Sequence, residues 1–305
     1  MTRLAEIQGR IASMDELLDI VGAMRSLAGM RVQEAQHALP GIRRYAAIVA
    51  SAIATALLLT PTPVLDAGAG GRRRALVLFT AEHGFVGAFN ERLLAASETA
   101  REAGDLSFVV GSRGAALALE RGRRIEWTSA MATRPTGTFE IVDPLVAALY
   151  GYIGRGEISR IEIMFARYRQ GSGTSVEQRL ILPLEQPPSG ASPAHPRSAS
   201  RLRQPPLHNL EPQALLEKLV AEYVFALLTE AAVESIASEN AARFAAMESA
   251  HENVSKKLDE LRRLSRQERQ TEITSELLDL ITGTEAVAER PSGADRGSRG
   301  ADHAS

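Results

Sequence analysis

The side chains able to do chemistry are few and badly spaced for it. The six histidines lie at positions 37, 83, 195, 208, 251 and 303, with no pair at helical or hairpin ligand spacing. With no cysteine in the chain, thiolate metal sites and disulfides are both excluded. Gly111-Ser112-Arg113-Gly114 is not spaced as a nucleophile elbow. It does follow an apolar run and open a helical stretch, where backbone N–H groups could meet an anion. A tight strand-to-helix turn that needs glycine is the stronger reading of that stretch. Asp66–Arg74 (DAGAGGRRR) is rich in glycine but precedes a strand, so it reads as a linker rather than a phosphate loop. Thr80–Asn90 (TAEHGFVGAFN) leaves a strand where an α/β sheet would bind a ligand. It carries Glu82 and bulky Phe85 and no cluster of phosphate donors, which favours a structural turn.

The elements that would position these residues form an α/β pattern between two long helices. Ala75–Thr80 and Leu106–Val110 are short apolar runs, as expected of strands covered on both faces. Asn90–Ala103, capped by Asn90, and Ser112–Gly122 have helical composition, and a third helix is expected from Pro144 after Asp143. Ile158–Tyr168 and Val176–Leu184 flank Gly171-Ser172-Gly173 as a hairpin. Strand and helix in alternation predict a doubly wound sheet over residues 72–185.

Outside this domain the period changes. Leu4, Ile7, Ile11, Met14, Leu18 and Val21 recur at alternating intervals of 3 and 4, a heptad seam. Arg25 falls where the next apolar residue is due, and Ala28, Val32, Ala35 and Leu39 resume the spacing until Pro40-Gly41 interrupts it. From residue 213 to about 288 there is no proline and one glycine, Gly283. That stretch predicts a helix of about 110 Å at roughly 1.5 Å per residue. Phe244, Met247, Val254, Leu258 and Leu261 fit a second seam, with His251 in one inward slot. The expected architecture is a long antiparallel coiled coil of the N- and C-terminal helices (1–60 and 210–288) with an inserted doubly wound α/β domain. Residues 186–209, rich in proline and serine, and the tail 289–305 read as disordered.

Composition agrees with extended helices. Hydrophobic residues make up 45% of the 305 and aromatic residues only 5%. A net charge of −2 exerts no general pull on nucleic acid or acidic lipid. The longest apolar stretch, Ala46–Leu59, contains Ser51 and Thr55 and is too short for the ~20 residues of a membrane helix. Asn240, His251, Arg25 and the stretch Ser265–Thr274 break the seams. They read either as solvated or register-setting positions, or as the end of the coiled coil, beyond which one helix continues among other proteins.

Several stretches carry a family resemblance. Leu4–Gln36, with Ile20-Val21-Gly22-Ala23-Met24-Arg25, resembles the opening helix of F-type ATP synthase gamma subunits. Thr80–Asn90 is similar to that family's first-strand loop, which usually reads Ser/Thr-x-Asp-Arg-Gly-Leu-Cys-Gly-Gly-Leu/Phe-Asn. Gly111–Gly114 resembles its Gly-x-Lys-Gly, and Leu210-Glu211-Pro212 the entry to its last helix. Ala237–Met247 and Arg269–Gly283 are similar to its two most diagnostic stretches. Departures include His83 for Arg, Val86 for Cys, Ala88 for Gly, Phe244 for Met and Thr284 for Ala, which mark a divergent member.

The resemblance implies a rotor shaft that couples ion flow to ATP synthesis or hydrolysis. It implies no catalytic, cofactor or metal residues in this chain. Its implied partners are the alpha and beta subunits, the epsilon subunit and the ion-carrying membrane ring, at the cytoplasmic face of a bacterial cell membrane. Met24 and Arg25 match a bearing region, Arg269 and Gln270 a pair that touches the catalytic subunit at that same level, and Glu211 an acidic residue facing the ring. A rival reading is a coiled-coil dimer carrying a small-molecule-binding α/β domain. A nucleotide hydrolase is a third, opposed by the missing phosphate loop.

Overall fold

The computed structural model describes residues 2–57, 59, 73–171, 173–184 and 208–288. The stretches read as disordered, 186–209 but for its last two residues and 289–305, lie outside these. Eleven elements follow in order: α1 (Thr2–Leu57), β1 (Arg73–Phe79), α2 (Phe89–Thr99), β2 (Leu106–Val110), α3 (Ser112–Glu120), β3 (Trp127–Ser129), a 3-10 turn (Pro135–Gly137), α4 (Phe139–Gly154), β4 (Ile158–Arg169), β5 (Gly173–Leu182) and α5 (Pro212–Ala288). They divide into two units: Val21–Ala250, and the first twenty residues with the helix from His251 onward.

In the larger unit the near-continuous apolar runs become a five-stranded sheet of order β3-β2-β1-β4-β5. β3, β2, β1 and β4 are parallel, and β5 closes the edge antiparallel to β4. Alternation along β1 sends Leu76 and Leu78 to the face covered by α2 and α3, against Phe89, Leu93 and Ala118. Ala75, Val77 and Phe79 point to the other face, against Val142 and Leu145 of α4 and Leu228, Ala231 and Ile236 of α5. Both faces are therefore dry, which is why β1 and β2 read as unbroken apolar runs. Ala35 and Leu39 of α1 join the second core. This doubly wound sheet carries its antiparallel edge in the hairpin expected around Gly171 and Gly173.

Three details differ from expectation. α2 starts at Phe89, with Ala88 at its N-cap. The Asn90 side chain is spent elsewhere, its Oδ1 accepting the Ala81 N–H at 2.9 Å. α4 begins five residues before Pro144. In α1, where only the seam spacing was expected to be interrupted, the helix continues through Pro40. Both prolines are on the exposed faces of their helices, where water can take the carbonyl that proline leaves unpaired. The short edge strand β3 was not expected, since three residues leave no period to read.

The terminal helices run antiparallel in each unit. In the larger one Arg25 pairs with Glu248 at 2.8 Å, while Tyr45 reaches back to Glu222. Val21, Ala28, Ala35, Leu39, Ala46 and Ile53 of α1 are buried, continuing the heptad across Arg25 and past Pro40, as is Met247 of α5. In the smaller unit Arg3 pairs with Glu268 at 3.3 Å and Arg262 with Asp15 at 3.0 Å, and Ile7, Leu258 and Leu261 are buried. Apart from Phe244, the seam residues are thus buried or half-buried within one chain, which leaves less apolar surface for dimerising through them. Phe244 lies at the margin of the second seam. It is 41% exposed, its ring 3.4 Å from where a Cβ on Gly29 would be, while neighbouring Arg243 turns inward. Among the described residues no helix is long and apolar enough to cross a membrane.

Candidate functional site

A doubly wound sheet binds ligands at the carboxyl edge of its strands, where the strand order reverses. Here that reversal lies at β1, between β2 and β4. The chain fills this edge itself. After β1, Glu82 turns back so that one carboxylate oxygen accepts the N–H of Ser112 (2.9 Å) and of Met131 (2.7 Å). The other accepts the Ser112 hydroxyl at 2.7 Å. Burial pushes the Glu82 carboxyl up, but these donors, with His83 nearby, outweigh it and hold its pKa below the ordinary value. The N-terminus of α3, where an anion could have bound, therefore already carries a carboxylate.

The two glycines of Gly111–Gly114 have a packing reason. A Cβ at Gly111 would stand 2.5 Å from the Thr80 carbonyl oxygen, and one at Gly114 2.1 Å from the Thr80 Cβ. Gly111 also has φ +113°, where a side chain is strained. The close approach lets the Thr80 hydroxyl donate to the Val110 carbonyl at 2.7 Å. The tight-turn reading of this stretch holds.

Beyond Glu82 the loop turns outward. Phe85 has φ +61° and is 67% exposed, an uncommon conformation for a bulky residue. Arg243 of α5 holds the loop from behind, donating to the Gly84 and His83 carbonyls at 3.3 and 3.4 Å. Its charge is met by Glu239 at 2.6 Å, and Asn240 accepts from it at 3.0 Å. The resulting cleft, about 360 Å³, is walled by Met24, Leu27, Arg31, Phe85 and Arg243.

The other expected contact residues lie apart. Arg25 is engaged by Glu248, whereas Arg269 and Gln270 are exposed, and their side chains have no partner among the described residues. The α5 residue opposite Arg25 is Glu248, and Glu268, beside Arg269, is opposite Arg3. Glu211 is exposed immediately before α5.

Sequence reasoning missed a charged cluster. On α5, Glu230 and Glu234 are buried against Arg43 of α1, Arg167 of β4 and Arg179 of β5. A signal was present: two carboxylates one helical turn apart inside the apolar run from Val224 to Ala237 must find cations if they face inward.

A doubly wound domain with its ligand edge closed, carried on paired terminal helices, belongs to the class of proteins built around the helices rather than a pocket. Residues 3–287 match the family described as ATP synthase. The ATP synthase gamma chain of Streptomyces avermitilis is 29% identical over 94% of this chain and 97% of its own length. That of Methylobacterium sp. (strain 4-46) is 30% identical over 94% of this chain and all of its own. A chain of the Euglena gracilis mitochondrial ATP synthase shares the fold, with a TM-score of 0.61 at 14% identity, covering 98% of this chain and 99% of that one. The chain belongs to the ATP synthase gamma-chain family.

Proposed function

We propose that this chain is the central rotor shaft of an ion-translocating ATP synthase, passing torque between a membrane ring and the catalytic sites without itself catalysing a reaction. The observation that carries this reading is the antiparallel pairing of the two terminal helices within one chain, with α5 exposing polar Arg269 and Gln270 near its end. A coupling shaft has to be stiff, and paired helices with satisfied seams are stiff. It also has to meet its surroundings without a deep lock to one orientation, which suits exposed polar side chains.

In this reading Arg269 and Gln270 contact the catalytic beta subunit, and the half-buried Met24 and Arg25 form part of the bearing. Alpha subunits complete the surrounding hexamer, the epsilon subunit lies beside the α/β domain, and Glu211 faces the ring. The complex is associated with a membrane, and the cytoplasmic face is the side proposed for this chain.

Membranes carrying the assembled enzyme with Arg269→Ala and Gln270→Ala together should show reduced ATP turnover or reduced ion pumping per ATP. The purified chain's fold should be unchanged, because both side chains are exposed. Hydrogen bonds to charged groups contribute about 1.5–3 kcal/mol each, enough for a tenfold effect or more. Wild-type turnover and pumping at normal assembly would refute the assignment of these residues. Undiminished pumping by membranes lacking the chain altogether would refute the shaft reading.

A further inference from the structure

α1 carries a weak point in the larger unit. Pro40 has no N–H to give to the Gln36 carbonyl, and Gly41 follows it, with nothing within 4 Å of where its Cβ would be. Proline and glycine together are the poorest helix formers, yet α1 passes through them unbroken. A helix under bending or torsional load yields first where its ladder is interrupted.

One turn beyond Pro40, Arg43 reaches α5. Its Nε donates to Glu230 at 3.1 Å and its Nη2 to Glu234. The Arg43 side chain is 48% exposed, whereas those of Glu230 and Glu234 are 9% and 2% exposed. The two buried carboxylates do not depend on Arg43 for charge. Arg167 of β4 donates to Glu234 at 3.0 Å, and Arg179 of β5 to Glu230 at 3.1 Å. Glu177 of β5 in turn holds Arg167 at 2.8 Å. What Arg43 adds is a tie from α1 to a node already anchored in α5 and the sheet edge. The node adjoins a cleft of about 600 Å³ walled in part by Pro40 itself, while Leu39 and Ile42 on either side of Pro40 pack against the core.

We infer that Arg43 is a mechanical brace, a positioning residue that fixes α1 to α5 and the β4–β5 hairpin and stops the shaft from flexing at Pro40-Gly41. The torque role rests on the shaft reading; the brace itself does not. Load delivered to the α/β domain then passes to α1 through the Arg43 node rather than across an interrupted helix.

The test uses Arg43→Met, which keeps the apolar stem, and the same change combined with Pro40→Ala and Gly41→Ala, which repairs the helix. In the purified full chain, amide hydrogen exchange over residues 41–46 should quicken about five- to tenfold with Arg43→Met, reporting local opening. It should return to the wild-type rate in the triple variant. In membranes with normal assembly, ions pumped per ATP hydrolysed should fall with Arg43→Met, in proportion to the open population that the exchange reports. The triple variant should restore it, which a residue needed only to neutralise Glu230 and Glu234 would not allow. Unchanged exchange in Arg43→Met overturns the brace, as does failure of the helix repair to reverse it. Faster exchange with full coupling overturns the torque role. Membranes lacking the chain serve as the control: pumping there would show the shaft reading wrong, and the brace would then be judged by exchange alone.

Discussion

Replacing Glu82 removes the carboxylate that joins the loops after β1, β2 and β3. Glu82→Ala leaves the Met131 N–H without its acceptor, and Met131 is 3% exposed, so water cannot substitute easily. It also removes both bonds from Ser112, which is exposed and can rehydrate. A buried unsatisfied donor costs about 1–3 kcal/mol and a hydrogen bond to a charged group contributes about 1.5–3. With the Ser112 bonds largely replaced by water, the expected loss is about 2–4 kcal/mol. Glu82→Gln keeps an acceptor for the two N–H groups and gives up the charge, so its cost should be nearer ~1 kcal/mol.

The carboxyl adds a pH signature. Its folded pKa is held below the ordinary value of 4.5 by the N–H and O–H donors, against the upward push of burial. A group whose pKa is lower folded than unfolded stabilises the protein above its unfolded pKa. That contribution is lost as pH falls through the folded value. The stability gap between wild type and Glu82→Gln should therefore be whole from neutral pH down to about 4.5 and should close below it. Urea unfolding of the purified chain at a series of pH values measures both effects. A loss below about 0.5 kcal/mol for Glu82→Ala at pH 7, the range of an ordinary surface substitution, would refute the latch. So would a Glu82→Gln gap that stays constant down to pH 3.

Other outcomes follow from packing. Gly114→Ala brings a Cβ to 2.1 Å from that of Thr80 and should cost about 1–3 kcal/mol or more; an unchanged urea midpoint would refute the close packing. Phe244→Asp should be tolerated within about 1 kcal/mol, since the ring is 41% exposed. Leu261→Asp, 4% exposed, should cost several kcal/mol by burying an unpaired charge, and melting temperatures that do not separate the two would refute this seam assignment. Removing Arg262 should change stability by at most about 1 kcal/mol, because its pair with Asp15 is half-exposed; a double-mutant cycle with Asp15→Ala checks it.

Much of this protein is legible in one dimension because its order is periodic. The recurrence of Leu4, Ile7, Ile11 and Met14 at intervals of 3 and 4 is enough to define a paired helix. The apolar runs at Ala75 and Leu106 are enough to define strands covered on both faces. The family, too, was readable from local stretches such as Ala237–Met247. Tertiary structure alone decided where the polar groups go, because their partners are distant in the chain. Glu82 meets Ser112 and Met131, Arg243 meets the carbonyls of His83 and Gly84, and Arg43 meets Glu230 and Glu234. No spacing rule joins positions 43 and 234. The inward turn of Arg243 has the same origin: it meets the loop carbonyls of His83 and Gly84, while Phe244 rests against α1 at Gly29. The start of α4 at Pro144 and the interruption of the heptad spacing at Pro40 were misread for a related reason. A proline ends a helix when its lost bond is buried, and only the fold determined that these two face water.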